Sequence, residues 1–142
     1  MKVIFLDVDG VLNSSQDGFT IKLGTSKHLE LLKQIVGSTN AKIVLSSSWR
    51  ISDKTKLFIE NKLKEYGMSI MGSTPDLGSS RGEEIKSWLR ETNDFIESFV
   101  ILDDDSDMDE YTRTKLVQTN RDIGLQETDV LKAIKILSES VI

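Results

Sequence analysis

Two aspartates lie two positions apart at the end of the first apolar run, Asp7 and Asp9 in VIFLDVDG. The run is short, rich in β-branched and aromatic residues and ended by Gly10, a pattern typical of a buried strand. Because successive side chains of a strand point to opposite faces, both carboxylates fall on the same side. Carboxylates held so close raise each other's pKa unless a cation lies beside them. The spacing favours a cation site, and the alternative is a hydrated strand end followed by an Asp-Gly turn.

A second set of carboxylates follows the apolar strand pattern at 99–102. Residues 103–110 hold six of the 23 acidic residues, so the remainder of the chain carries 17 acidic against 18 basic residues and the net charge of -5 is local. A solvated loop is the usual explanation of such a run, but open α/β sheets also bind ligands where strands end. The six residues are Asp103, Asp104, Asp105, Asp107, Asp109 and Glu110.

Hydroxyl groups mark the end of a third apolar run, at 41–45, which is followed by Ser46 and Ser47. Strand patterns alternate with helix patterns along the chain, and this order predicts a parallel sheet covered on both faces. Right-handed crossovers place the carboxyl ends of all parallel strands at one edge of the sheet. We therefore expect Asp7, Asp9 and Asp103 to converge there with the two serines.

The boundaries of these elements follow from caps and periodicity. Gly37 is expected to end the first helix and Thr128 to cap the last, while residues 14–24 form a short excursion such as a hairpin or flap. The predicted strands are 3–6, 41–45, 68–71, 99–102 and 116–118. Predicted buried helix positions are Leu29, Leu32, Ile35 and Val36, then Leu57, Phe58, Leu63 and Tyr66, then Ile85, Trp88 and Leu89, and last Val130, Leu131, Ile134, Leu137 and Val141.

Composition narrows the class of protein. A chain of 142 residues is expected to form one domain. The chain has no cysteine, which excludes disulfides, zinc-thiolate sites and a thiol nucleophile. No apolar run approaches the roughly 20 residues that cross a bilayer, and no signal-peptide pattern is present. We expect a soluble, cytoplasmic protein with no membrane partner, in which His28 is a packing or surface residue and not a metal ligand.

Carboxylates converging at one edge predict a site for a hard cation such as Mg²⁺, which prefers oxygen ligands. A predicted helix that begins near Gly82 has free N–H groups and a dipole that favour phosphate, and the guanidinium of Arg81 beside it matches phosphate oxygens. These groups suit hydrolysis of a phosphate monoester. Asp7 would attack phosphorus, and Asp9 would protonate the leaving oxygen and then deprotonate water.

The order of these motifs resembles the haloacid dehalogenase (HAD) superfamily of phosphohydrolases. Its first motif, hhhhDxDG, is matched by IFLDVDG at 4–10, and its second, a Ser or Thr after the second strand, by Ser46 in KIVLSSSWR. Its third, a Lys or Arg near the start of a later helix, is matched by Arg81 in SRGEEI, and its fourth by Asp103 and Asp104 in VILDDDSDM. LSSSWR, the STP loop, RGEEIKSWL, ILDD and GLQETD are most similar to small HAD domains associated with RNA-repair proteins and are also similar to polynucleotide-kinase-type phosphatase domains.

The resemblance implies a three-layer, Rossmann-like α/β sandwich with a mostly parallel five-stranded sheet, and a phosphatase that forms an aspartyl-phosphate on Asp7. It implies Mg²⁺ held by the Asp7 carboxylate, the Asp9 backbone carbonyl and Asp103, with Asp104 or Asp107 acting through water or a neighbouring loop. The acid at Asp9 favours a phosphatase over a dehalogenase, because dehalogenation has no leaving alkoxide to protonate.

The resemblance also implies which residues bind phosphate. Since the third motif is more often Lys, Arg50 and Lys86 remain alternatives for the residue that neutralises the phosphate. The expected phosphate-binding residues are Gly10, Ser46, Ser47 and Arg81.

The connections between elements leave no room for a cap domain, and capless HAD enzymes tend to admit large substrates. A phosphorylated nucleic-acid end, such as a 3′-phosphate, or a phosphorylated protein side chain is therefore expected. The composition lacks the basic excess of a nucleic-acid binder, and Trp49 and Trp88 are expected in the core. The alternatives are a HAD-fold binding or scaffold protein without turnover, a small-metabolite phosphatase, and a phosphoacceptor signalling domain, whose acceptor Asp would end the third strand.

Overall fold

A five-stranded sheet lies at the centre of the molecule in the computed structural model, which describes residues 1–20 and 26–139. The strands are β1 (Lys2–Leu6), β2 (Lys42–Leu45), β3 (Ile70–Ser73), β4 (Ser98–Asp103) and β5 (Leu116–Gln118). Their order is β3-β2-β1-β4-β5 and all four pairings are parallel. The predicted α/β class is confirmed, and β1 is the central strand.

Helices cover both faces of this sheet and complete three layers. They are α1 (Lys27–Thr39), α2 (Asp53–Glu65), α3 (Arg81–Glu91), α4 (Glu110–Arg113) and α5 (Glu127–Leu137). One core layer includes Leu32 of α1, Leu63 of α2 and Val130 of α5. The other packs Phe5 of β1 against Ile85 of α3. β1 contributes to both layers because a central parallel strand is buried on both faces.

The third strand begins two residues later than the predicted 68–71. Gly67 has a left-handed φ of 76°, and the N–H of Met68 donates to the Leu63 carbonyl at 2.9 Å. These two residues therefore close the carboxyl end of α2 in a Schellman turn. Met68 completes the helix end, so β3 starts only at Ile70.

Two predicted helix ends are wrong. Gly37 lies inside α1, which continues until Asn40 adopts a left-handed φ of 57° and its N–H bonds to the Val36 carbonyl. Helix α5 is capped by Gln126, whose N–H donates to the Asp129 carboxylate at 2.9 Å. Thr128 consequently lies in the first turn of α5.

The buried face of α2 differs from its prediction. Leu63 is buried and Tyr66 packs against the core, but Leu57 and Phe58 are 56% and 41% exposed. Ile59 is fully buried instead. Positions 59, 63 and 66 keep the spacing of 3 or 4 that defines one helix face, and positions 57 and 58 do not.

On the remaining helices, Ile85 is buried and Trp88 and Leu89 pack against it as expected. The prediction that Leu131 of α5 is buried is wrong, because its side chain is 68% exposed. Within the predicted excursion at 14–24, Ser15–Asp17 form a single 3-10 turn. Residues 21–25 of that region, like Val141 of the predicted last helix face, lie outside the described residues. None of the described helices is long and apolar enough to cross a membrane.

Candidate active site

The carboxyl ends of β1, β2 and β4 meet at one edge of the sheet. The Asp7 N–H donates to the Leu102 carbonyl at 3.0 Å, and the Ser46 N–H donates to the Leu6 carbonyl at 2.9 Å. These bonds continue the pairing of β1 with β4 one residue past β1, and its pairing with β2 one residue past β2. Asp7 therefore lies between the end of β2 and the end of β4, as the strand order predicted.

Three carboxylates form a cluster at this edge. One oxygen each from Asp7, Asp103 and Asp104 lies within 4.8 Å of the other two. Asp103 is fully buried and Asp7 is 6% exposed, whereas Asp104 is half-buried. The cluster joins residues almost a hundred positions apart in sequence, and its half-buried member keeps it in contact with solvent.

Arg81, the first residue of α3, reaches this cluster with its guanidinium. Its Nη1 lies 2.5 Å from Asp103 Oδ2 and 3.5 Å from Asp7 Oδ1. Burial raises the pKa of Asp7 to about 6, although the Arg81 charge opposes this. Burial and the Asp7 charge together raise the pKa of Asp103 to about 8. One guanidinium thus does not offset the repulsion and desolvation of two buried carboxylates.

The first turn of α3 does not offer the free N–H groups that were expected for phosphate. The Arg81 N–H donates to the Asp107 carboxylate and the Gly82 N–H to the Asp107 carbonyl, each at 3.3 Å. The Glu83 N–H donates to Ser80 Oγ. The acidic run therefore caps this helix. Asp107 has this structural contact and, among the described residues, is not part of the carboxylate cluster. It is the side chain of Arg81 that contacts the carboxylate cluster.

Asp9 lies beside the cluster, and among the described residues its carboxylate is not part of it. Its Oδ1 accepts a hydrogen bond from Asn13 Nδ2 at 2.9 Å, and its Oδ2 accepts one from Trp49 Nε1 at 3.1 Å. Each oxygen therefore has its own donor. These two contacts orient the Asp9 side chain, which lies two residues after Asp7.

Gly10 permits the close approach of strand ends β1 and β4. Its φ is +82°, and a Cβ at this position would lie 2.4 Å from Asp104 Oδ2. Its N–H donates to Asn13 Oδ1 at 2.9 Å, and its carbonyl accepts from Thr119 Oγ1 at 2.6 Å. Gly10 is needed for both the turn and the position of the Asp104 carboxylate.

The two serines after β2 differ in what their hydroxyls contact. Ser46 is fully buried, and its Oγ has no hydrogen-bond partner among the described residues. The Oγ of Ser47 accepts from the Trp49 N–H at 3.1 Å and caps the 3-10 turn Ser48–Arg50. A buried hydroxyl without a partner costs free energy, so Ser46 is the serine that a bound anion would satisfy.

The two alternatives to Arg81 are used elsewhere. The Arg50 side chain is 6% exposed and pairs with Glu84 Oε1 at 3.0 Å. Lys86 pairs with Glu83 and Asp109 on the outer side of α3. The other Arg50 donors bind the backbone carbonyls of Ser46, Ser47, Thr74 and Pro75. Of the three cations, Arg81 is the one that contacts Asp7.

The donor set of the cluster fits a magnesium ion. All three ligands are carboxylates, the oxygen ligands that Mg²⁺ prefers, and opposite ligands of its octahedron lie about 4.2 Å apart. The three oxygens lie within 4.8 Å of one another, which is close to this separation. The raised pKa values of Asp7 and Asp103 point the same way, because the single charge of Arg81 does not offset the burial and mutual repulsion of these carboxylates.

Two residues of the site were not singled out from the sequence. Trp49 packs against the core as expected, and its indole N–H also donates to Asp9. Asn13 is fully buried and bonds to both Gly10 and Asp9. The available signals were an Asn three residues after an Asp-Gly turn, and a Trp directly after a strand-end serine run. His28 is half-buried, and its Nε2 donates a hydrogen bond to the Ile123 carbonyl at 2.8 Å.

The parallel sheet, the carboxylate cluster at its carboxyl edge and the lack of a cap among the described residues agree with a HAD-type α/β domain. The family model described as HAD domain in Swiss Army Knife RNA repair proteins matches residues 3–130, a range that includes all four motifs. The chain belongs to this family, and the predicted superfamily and its RNA-repair branch are confirmed. Neither the curated proteins nor the solved structures include a significant match.

Proposed function

We propose that the protein is a Mg²⁺-dependent phosphomonoesterase that works through an aspartyl-phosphate on Asp7. The observation that carries this proposal is the cluster of Asp7, Asp103 and Asp104, with Arg81 against it and Asp9 beside it. Membership of the HAD superfamily supports phosphatase chemistry in general. The buried, unpartnered hydroxyl of Ser46 supports an anion in the same place.

In the first step, an Asp7 oxygen bonds to phosphorus and the bond from phosphorus to the leaving oxygen breaks. Arg81 and Ser46 bind the phosphate oxygens, and Asp9 gives its proton to the leaving oxygen. Mg²⁺, held by the carboxylates of Asp7, Asp103 and Asp104 with the Asp9 carbonyl, would neutralise charge on the phosphate and keep Asp7 ionised. In this scheme the Gly10 turn and Ser47 line the same phosphate pocket.

In the second step, water attacks phosphorus, its proton passes to Asp9, and the bond between Asp7 and phosphorus breaks. Inorganic phosphate leaves and Asp9 is again protonated for the next substrate. One carboxyl thus acts first as acid and then as base, because the second displacement at phosphorus resembles the reverse of the first. The fixed position of Asp9 beside the cluster supports this double role.

The substrate class we infer is a nucleic-acid end that carries a phosphate, such as a 3′-phosphate. The family is named for RNA-repair proteins, and the site among the described residues is not covered by a cap. The net charge of -5 offers no general attraction to a phosphate backbone. A substrate end would therefore be recognised by a few contacts near the site.

The direct test is hydrolysis of p-nitrophenyl phosphate by wild type and Asp7→Asn, with Mg²⁺ and with EDTA. We expect turnover by wild type that requires Mg²⁺, and a loss of at least about a thousandfold in Asp7→Asn, because the nucleophile is removed. Equal activity of the two proteins would exclude Asp7 as the nucleophile. Magnesium binding without any turnover would favour the alternative, a HAD-fold binding or scaffold protein.

A panel of substrates then distinguishes a phosphatase of nucleic-acid ends from a phosphatase of small metabolites. We expect kcat/KM for a 3′-phosphorylated oligonucleotide to exceed that for small sugar phosphates. The reverse order would identify a small-metabolite phosphatase. The matched control is the same oligonucleotide with a 3′-hydroxyl, added as a competitor. Its inhibition constant should be larger than the KM of the phosphorylated strand.

We further propose that residues 1–142 form one domain that acts in the cytoplasm. The continuous sheet with its two core layers supports one domain, and the lack of cysteine agrees with a reducing compartment. A single cooperative unfolding transition is expected, and two separated transitions would contradict it.

A further inference from the structure

The carboxylate of Asp9 is held from two different elements. Asn13, which donates to Oδ1, belongs to the same turn as Asp9. Trp49, which donates to Oδ2, belongs to the 3-10 turn Ser48–Arg50 after β2. A short carboxylate side chain rotates about two bonds, and donors on both oxygens restrict both rotations. Because Asn13 would move together with its turn, Trp49 is the contact that fixes Asp9 relative to Ser46.

Trp49 is itself held in place. Its N–H donates to Ser47 Oγ at 3.1 Å, and its carbonyl accepts from Thr55 Oγ1 at 2.6 Å. Its ring packs against Phe58 with the centroids 6.0 Å apart. Backbone and ring are thus both anchored, so the indole N–H is a fixed reference point for the carboxylate that it contacts.

Both partners of Asp9 are donors only in these contacts. An indole N–H cannot accept a proton, and the orientation of the Asn13 amide is set because its Oδ1 accepts from the Gly10 N–H. Neither partner therefore competes with Asp9 for a proton, and the two contacts restrict the direction of its carboxyl oxygens. When Asp9 acts as the acid of the proposed reaction, its proton passes to a third group, the leaving oxygen.

We propose that Trp49 is a positioning residue that holds the acid, Asp9, toward the leaving oxygen through its indole N–H. This inference rests on the proposed phosphatase function. Trp49 acts through Asp9 and not on the phosphate. Its removal should therefore slow the transfer step in proportion to how much the leaving oxygen needs a proton. An alkoxide needs that proton, whereas p-nitrophenolate leaves readily without it.

The hydrogen bond can be tested without any activity. The chain has two tryptophans, so its ¹H-¹⁵N spectrum holds two indole resonances, which Trp88→Phe assigns by loss of one. We expect Asp9→Ala to shift the Trp49 indole resonance to lower frequency and to speed its exchange with water, while the Trp88 resonance stays in place. An unmoved Trp49 resonance would overturn the proposal, and this measurement does not require that Trp49→Phe folds.

The positioning role is tested by kinetics on two substrates, p-nitrophenyl phosphate and glycerol phosphate. We expect Trp49→Phe to lower kcat/KM for glycerol phosphate by about tenfold or more, a part of the 10²–10⁴-fold that general acid catalysis supplies. The value for p-nitrophenyl phosphate should change by less than about threefold. The matched control is Trp88→Phe, which alters a half-buried ring that packs on Phe5 away from Asp9, and should leave the ratio unchanged.

The two proposals fail in different ways. If wild type hydrolyses neither substrate, the phosphatase proposal is overturned and the catalytic role of Trp49 falls with it. If wild type is active but Trp49→Phe affects both substrates equally, or neither, the phosphatase proposal stands and the positioning role is overturned. A selective loss on glycerol phosphate, larger still in Asp9→Asn, supports both.

Discussion

Asp7 and Asp103 are two buried carboxylates that share one guanidinium. Each would lose hydration on burial, and Arg81 supplies a single positive charge to both. The pKa values of about 6 for Asp7 and about 8 for Asp103 show the remaining imbalance between this one positive charge and two buried negative groups. A divalent ion between them would correct it, which is why the electrostatics of these residues support a metal site more strongly than their spacing alone.

Gly10 provides a test of that site at the scale of one residue. Gly10→Ala should raise the dissociation constant of Mg²⁺ by about tenfold or more, because the new Cβ would displace the Asp104 carboxylate. It should also destabilise the fold by about 1–2 kcal/mol, because φ is +82°. Titration calorimetry with Mg²⁺ measures the first effect and urea unfolding the second.

The control is Gly67→Ala. Gly67 has a similar φ of +76°, but nothing lies within 4 Å of its added Cβ. This variant should share the loss of stability and keep the affinity for Mg²⁺. The same affinity loss in both variants would show that backbone strain, and not contact with Asp104, is responsible.

At the scale of elements, the ion pair of Arg50 and Glu84 ties three segments together. Arg50 lies in the turn after β2 and binds the Thr74 carbonyl in the segment after β3, while Glu84 belongs to α3. Glu84 also accepts from the Leu77 N–H at 2.9 Å. The start of α3, and with it Arg81, is therefore positioned by contacts beneath the site.

Adjacent residues of α3 allow a matched comparison. Glu84→Gln should lower the free energy of unfolding by about 3 kcal/mol, because it leaves Arg50 buried without its counter-charge. Glu83→Gln makes the same chemical change in a pair with Lys86 in which Glu83 is 49% exposed, and should cost less than about 0.5 kcal/mol. Urea unfolding of both variants measures the difference. Equal losses would show that the buried pair has no special structural role.

At the scale of the whole molecule, the buried carboxylates couple stability to pH. Their folded pKa values lie above the 3.8 of an exposed aspartate, so the folded state binds more protons than the unfolded chain. Stability from these groups is complete below about pH 4 and is lost as pH rises through about 6 and 8. Magnesium ion should oppose that loss.

We therefore expect the unfolding free energy in EDTA to fall by about 5 kcal/mol between about pH 5 and pH 8, because each unit of raised pKa is worth about 1.4 kcal/mol. Magnesium chloride should stabilise the protein more at the higher pH. The Asp103→Asn variant should show a smaller fall in EDTA and little gain from Mg²⁺. A pH dependence identical to that of wild type would contradict the shifted pKa of Asp103.

The sequence was sufficient for the architecture because its strongest signals are long and local. Apolar runs ended by polar residues located the strand ends, and a parallel sheet then required Asp7 and Asp103 to meet. Element ends were less predictable, since Asn40 and Met68 close helices by backbone bonds that composition does not reveal. Leu57 and Phe58 were misplaced because α2 has several apolar residues and only one buried stripe.

Contacts between side chains from different elements were beyond sequence reasoning. The sequence does not indicate that the Arg50 guanidinium binds backbone carbonyls or that Asp107 caps α3. The position of Trp49 after the serine run indicates that it lies near the strand ends, but not that it contacts Asp9. Each depends on rotamers set by tertiary packing. These contacts distinguish Arg81 from its two alternatives and identify the partners of the acid.

The most direct measurement is the search for the covalent intermediate. Wild-type protein mixed with p-nitrophenyl phosphate and Mg²⁺, quenched in acid within one turnover and digested, should carry one phosphoryl group on the peptide that contains Asp7. The group should be missing with EDTA and in Asp7→Asn. Turnover by wild type with no phosphoryl group on that peptide, or with one on another residue, would contradict the central role of Asp7.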